Sequence, residues 1–145
     1  MDGSLPWHPR LVHFPIALLL TGSAAALAYL LGWRRASLAS LAWATLTLGW
    51  VAIFPAVLSG LVDQSRFTVP AAAQDVISLH IASGLALIVV YGLALYERLR
   101  SPAALDLASR RAWLILVLAV GVALLVASSA LGGRLVYEFE VGVRP

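Results

Sequence analysis

His13 and His80 are the residues of this chain best placed to do chemistry. Each lies about one turn inside the start of a long apolar stretch, and the two stretches enter the membrane from the same side. Two neutral imidazoles at matched depth in a helical bundle can hold a haem iron as its axial pair. A third imidazole, His8, precedes the first stretch, and Asp63 closes the second. His8, His13, His80 and Asp63 therefore form an alternative set, three imidazoles and one carboxylate, suited to a copper or zinc ion. A third reading is structural: the imidazoles bond to backbone groups or to Asp63 and brace one end of the bundle. Asp63 itself reads either as an acceptor orienting a histidine ring or as a solvated carboxylate capping a turn.

Other chemistries are excluded by residue type. The sequence has no cysteine, so disulfides, iron–sulfur clusters, thiolate-ligated haem and covalent c-type attachment are out. It has no phosphate-binding glycine loop with its lysine, and no serine, histidine and aspartate at a hydrolase spacing. What remains points to an electron carrier rather than a catalyst.

The elements that must position these side chains follow from composition. The chain is 61% hydrophobic and 12% charged over 145 residues, with a mean hydropathy of +0.93, far from a soluble domain. Four apolar stretches, 12–31, 38–61, 76–96 and 113–131, are each long enough to cross the hydrocarbon core, and residues 1–145 form one integral membrane domain. The fold expected is an all-α four-helix transmembrane bundle. The N-terminus lacks a signal peptide's basic region and cleavage pattern, so the first helix is expected to stay.

All ten basic residues are arginines. Arg34, Arg35, Arg98, Arg100, Arg110 and Arg111 fall in two loops with only Glu97 and Asp106 against them. Arg10, Arg66, Arg134 and Arg144 on the other side are diluted by Asp2, Asp63, Asp75, Glu138 and Glu140. The positive-inside bias puts those two loops in the cytoplasm and both termini outside, in the periplasm of a bacterial inner membrane. Tyr29, Trp33, Tyr96 and Trp113 mark one interface, and Trp7, Phe67 and Tyr137 the other. The basic balance is thus a matter of topology and no argument for nucleic acid.

Small residues recur at helical spacing. The stripe Ala42, Thr45, Gly49, Ala52, Ala56 and Gly60 marks one face of the second helix. Ala17, Thr21, Ala24 and Ala28 share a face of the first helix with His13, which is therefore expected to point inward. Ser83 and Gly84 follow His80, and Gly121, Ser128 and Gly132 share a face of the fourth helix. Such stripes suit close helix approach or a flat macrocycle. Haem propionates at this depth would meet Arg10, Arg66 or Arg134, with Tyr137 as a donor. Pro15 and Pro55 deprive the carbonyls of Leu11 and Val51 of their helical partners. Gly132-Gly133 is expected to end the last helix, and the alternation in 135–141 predicts a short extended tail. No internal repeat stands out.

The motif His8-Pro9-Arg10-Leu11-Val12-His13-Phe14-Pro15-Ile16-Ala17, the segment Ser59-Gly60-Leu61-Val62-Asp63, His80, and the ending Gly132-Gly133-Arg134-Leu135-Val136-Tyr137 with Val141-Gly142-Val143 resemble a bacterial predicted-membrane-protein family of unknown function. The resemblance covers essentially the whole chain. It implies a four-helix membrane domain similar in plan to two-haem b-type cytochrome bundles and associated in some members with c-type cytochrome or other redox modules. On that analogy His13 and His80 are the axial pair. No second histidine pair exists at the other end, so the chain can build at most one such haem. The function expected is a small electron-transfer subunit binding one haem b near the outer face and exchanging electrons with quinone, a c-type cytochrome or a larger redox complex. The alternatives are a structural or assembly subunit without cofactor and a copper- or zinc-binding membrane protein; the bilayer is one partner in every case and a homo-oligomer is a further expectation.

Overall fold

Hydrocarbon offers no partners to backbone N–H and C=O groups, so an apolar chain that crosses it must satisfy them internally, as helices. The computed structural model describes residues 6–142; Asp2, Val143 and Arg144 of the sequence reading lie outside the described residues. Its helices are α1 (His8–Leu11), α2 (His13–Leu30), α3 (Ala36–Arg66), α4 (Gln74–Arg100) and α5 (Ala108–Tyr137), with a short 3-10 turn at Ala71–Ala73 before α4. No strand occurs among the described residues. Four segments, α1 with α2, α3, the turn with α4, and α5, are long and apolar enough to cross a membrane.

The helices outrun the apolar stretches that announce them. α3 has 31 residues, about 46 Å of helix at 1.5 Å per residue, against a hydrocarbon core of about 30 Å. Its last turns, with Asp63 and Arg66, extend past the apolar run. The separation of α1 from α2 at Val12 matches the missing N–H of Pro15, which leaves the Leu11 carbonyl without its usual partner. α3 runs on through Pro55.

α2 packs chiefly on α3 and α4 on α5, giving two antiparallel hairpins, and α3–α4 and α2–α5 contacts close the bundle. All four chain crossings of the hairpins thus leave two loops, 31–35 and 101–107, at one end and the termini with the α3–α4 connection at the other. At the loop end the Tyr29 hydroxyl donates to Asp106 and Arg110 pairs with Glu97. Between the hairpins Trp50 Nε1 donates to the Ile88 carbonyl at 2.8 Å. In the centre the Tyr91 and Ser23 hydroxyls bond at 3.1 Å, and Leu19, Leu30, Leu46, Leu114 and Leu118 are fully buried.

Glycine notches set the helix spacing. A Cβ at Gly49 would stand 2.8 Å from Leu19 Cγ, and one at Gly121 would stand 2.9 Å from Tyr91 Cζ. The α3 stripe reads inward as its small residues suggest, with Ala42, Gly49 and Ala56 buried. The α2 stripe does not: Ala17, Thr21 and Ala24 are exposed, and so is His13. Seating Leu19 in the Gly49 notch, with Gly22 closed against Leu46 and Thr45, turns that face of α2 outward and carries His13 with it.

The C-terminal segment also departs from expectation. Gly132 and Gly133 lie within α5, which continues to Tyr137, as glycine is well tolerated in membrane helices whose backbone bonds face no competing water. Instead of an extended tail, turns follow, with Glu140 at φ 54° and Gly142 at φ 75°. Phe139 and Val141 fold back onto an apolar cluster of Ala73, Val76, Ile77 and Leu135.

Gly49→Leu should therefore destabilise the bundle by about 1–3 kcal/mol, the usual range for forced overpacking, whereas Gly133→Ala, with open space around its Cβ position, should not. Thermal unfolding in detergent compares them; equal midpoints would mean that the Gly49 notch does not set the α2–α3 distance.

Candidate two-histidine site

The termini end of the bundle gathers its polar groups around two imidazoles, His8 and His80. His8 is the first residue of α1, and His80 lies inside the 27-residue α4. Their Nε2 atoms approach to 3.4 Å, with ring centroids 5.7 Å apart and planes at 86°. His8 Nδ1 donates to the Ala56 carbonyl at 2.7 Å, and His80 Nδ1 donates to the Ser128 carbonyl at 3.0 Å. A carbonyl only accepts, so both Nδ1 atoms carry the proton, and in neutral rings both Nε2 atoms present lone pairs. With both rings neutral, the two Nε2 lone pairs face each other across this gap.

Each ring also rests on a glycine. A Cβ at Gly60 would lie 3.0 Å from His8 Nδ1, and a Cβ at Gly132 would lie 3.1 Å from His80 Cε1. The two arrangements are the same one used twice. In each hairpin a histidine of the first segment donates to a carbonyl 48 residues later and lies on the glycine one turn beyond it. The histidines are 72 residues apart, and the same offset relates Ala56 to Ser128, Gly60 to Gly132, Gly49 to Gly121, and Leu19 to Tyr91, whose side chains fill those last two notches. The bundle is an internal twofold repeat of hairpins. The contact of Nε2 with its own counterpart is the self-complementary contact that a twofold relation produces on its axis.

Asp63 breaks the repeat. It is only 7% exposed; one carboxylate oxygen accepts the backbone N–H of His8 at 2.8 Å, and the other, Oδ1, is buried without a partner among the described residues. It therefore neither orients an imidazole nor caps a turn in solvent. It anchors α1, a helix with no buried residue of its own.

A cavity of about 470 Å³ opens beside the rings. Its walls are mostly apolar, with Ile16, Leu19, Ile53, Leu87 and Leu125 on the side of the histidines toward the bundle centre. The sequence reading pairs His13 with His80, but the structure brings His8 to His80 instead and leaves His13 exposed at the cavity wall. No group of three or more histidine, aspartate or glutamate side chains converges among the described residues, so His8, His13, His80 and Asp63 are not gathered as one ligand set. Of the anticipated propionate partners, Arg10 stacks over Trp7 at 6.0 Å, Arg134 bonds Glu138 at 2.9 Å, and Arg66 is exposed. Tyr137 borders the cavity but is 88% exposed. The part of His8 is legible in the sequence only through the repeat: His8/His80, Gly49/Gly121 and Gly60/Gly132 are identical residues at one offset.

Fold and site together define an all-helical membrane bundle with its polar centre at one end. Residues 4–145 match the family described as "Predicted membrane protein (DUF2231)", and the chain belongs to that family. No curated protein and no solved structure matches the chain.

If Asp63 holds His8, then Asp63→Ala should make His8 react several-fold faster with diethyl pyrocarbonate, read by peptide mass spectrometry. Asp63→Asn, whose amide oxygen still accepts the His8 N–H, should react as the parent does. Equal rates in all three proteins would remove Asp63 from this role.

Proposed function

We propose that the chain is a small electron-carrying membrane subunit that holds one b-type haem at the termini end, with His8 and His80 as the axial pair. The observation that carries this reading is the head-on approach of the two Nε2 atoms to 3.4 Å, each ring fixed through Nδ1 by a carbonyl on its far side, as metal-ligating imidazoles are. A copper or zinc ion needs further protein ligands, and among the described residues no third histidine or carboxylate converges with the two imidazoles. A porphyrin brings its own four equatorial nitrogens and asks the protein for the two that are present. Were a haem bound, His8 and His80 would hold its iron through Nε2, and the two rings would have to part slightly from their 3.4 Å separation to admit it. The apolar cavity and the glycine seats suit a flat macrocycle, while Arg10, Arg66 and Arg134 lie at the same end of the bundle but outside the cavity lining. When bound between two histidines, such a group supplies one-electron transfer with no open coordination position.

The chain's own residues do the rest. Ala56 and Ser128 hold the rings by Nδ1, Asp63 holds the His8 backbone, and the leucines and isoleucines below keep water out. Quinone or a c-type cytochrome at that end, alone or within a larger redox complex, is the matching electron partner. The second reading, a cofactor-free scaffold, is favoured by the same Nδ1 bonds, each of which ties two helices together within a hairpin.

Absorption spectra of the purified protein before and after dithionite separate the two. The haem reading requires a low-spin bis-histidine spectrum that is lost or becomes high-spin in His8→Ala and His80→Ala and survives in His13→Ala. A colourless parent protein grown with haem supplied would leave the scaffold reading standing, and an intact spectrum in His8→Ala would sink the axial assignment.

The arginine bias supports a topology with this end outside a bacterial inner membrane and Arg34, Arg35, Arg98, Arg100, Arg110 and Arg111 on the cytoplasmic side. A C-terminal alkaline phosphatase fusion is expected to be active and a fluorescent-protein fusion dark; the reverse pattern would invert the topology.

A further inference from the structure

At the loop end, opposite the histidines, the polar groups are arginines and hydroxyls together with the carboxylates of Glu97 and Asp106. A groove between α3 and α4 is lined by Ser40, Trp43, Thr47, Arg98, Pro102 and Asp106. Arg98 is held in place within it. Its guanidinium lies over the Trp43 ring at 5.5 Å, and one N–H donates to the Pro102 carbonyl. Two carboxylates are at hand, yet neither pairs with it: Glu97 is paired with Arg110, and Asp106, which also lines the groove, accepts from the Tyr29 hydroxyl. The remaining Arg98 N–H groups, the Trp43 Nε1–H and the Ser40 hydroxyl have no acceptor among the described residues.

A preorganised, unpaired guanidinium flanked by two more donors is a receptor for an anion, and its planar fork matches a phosphate. The walls indicate what carries that phosphate. Ala39, Ala44 and Leu48 continue the groove down α3, and from Ala39 to Leu48 the helix descends about 13 Å. Arg98 stands near the end of α4, at headgroup level for a helix that crosses the bilayer. We infer that this groove binds the phosphate headgroup of an anionic phospholipid, with the upper part of an acyl chain along Ala44 and Leu48. Basic pockets between membrane helices serve this purpose in general. The site is independent of the two-histidine centre and of what that centre holds.

The test uses the whole chain, purified in detergent and stripped of lipid, with phosphatidylglycerol, phosphatidylcholine and inorganic phosphate as probes. Native mass spectrometry and thermal unfolding read binding. Phosphatidylglycerol should bind as one retained equivalent and raise the unfolding midpoint, while phosphatidylcholine and inorganic phosphate should not. Arg98→Gln should weaken phosphatidylglycerol binding by about fivefold or more, the effect of one arginine at an anionic surface. Arg35→Gln, which removes the same charge outside the groove, should change it much less. Equal losses in the two variants would mean a diffuse basic surface, and an equal response to inorganic phosphate would mean a free-anion site; either overturns the inference. Should Arg98→Gln not fold, Trp43→Phe keeps an aromatic ring under Arg98 and removes only the Nε1–H and part of the stack. Unchanged lipid affinity in that variant would overturn it too.

Discussion

An imidazole can come this close to a helix only where the helix has no side chain, and it can stay there in an apolar setting only if its N–H finds an acceptor. Ala56 with Gly60 meets both conditions for His8, and Ser128 with Gly132 meets them for His80. Carbonyl and glycine stand one turn apart on the same helix face, so a single stripe supplies seat and acceptor together. The polarity of the termini end follows from this. With both Nδ1 protons committed outward, each ring has only a lone pair to offer inward. The glycine seats bring the rings close enough for those lone pairs to meet. Larger residues at 60 and 132 would push the rings away from the carbonyls that orient them.

The two halves reach the same geometry by different means. His80 rides inside a long helix whose start is packed by Ala73, Val76, Ile77 and Leu135. His8 begins a four-residue helix with nothing buried, and the position equivalent to Leu135 is Asp63, which takes the His8 amide instead. A polar bond in one hairpin thus stands where an apolar cluster stands in the other. Its cost is a buried carboxylate oxygen without a partner among the described residues, a group that ordinarily requires one.

Much of the fold is legible in the sequence, because apolar length is a strong signal and the bilayer leaves few alternatives. The four spans, the inward stripe on α3 and the placing of His80 in a helix near the termini end all follow from spacing. The orientation of α2 does not, since its residues are apolar or small on every side. Its rotation is set by Leu19 meeting Gly49, a contact between helices that periodicity within one helix cannot carry. His13 rather than His8 therefore looks like the inward ring. Gly132-Gly133 misleads in the same way, since the pair that stops a helix in water supplies a seat for a ring in this bundle. The repeat is hidden because only a few positions are identical while the others share nothing beyond being apolar.

A unit of two spans returns to the side of the membrane on which it began. A second copy joined behind the first therefore inserts in the same sense, with no need to recharge its loops, whereas a copy of a one-span or three-span unit would arrive inverted. Each hairpin brings a single imidazole, half of the centre, and only its counterpart completes it. Joining the halves in one polypeptide fixes their stoichiometry at one to one. It also lets the two halves carry different residues at equivalent places, as at Leu19 and Tyr91, Ala56 and Ser128, and Asp63 and Leu135. His8 and His80, Gly49 and Gly121, and Gly60 and Gly132 keep the same residue in both halves, as do Leu46 and Leu118 in the core.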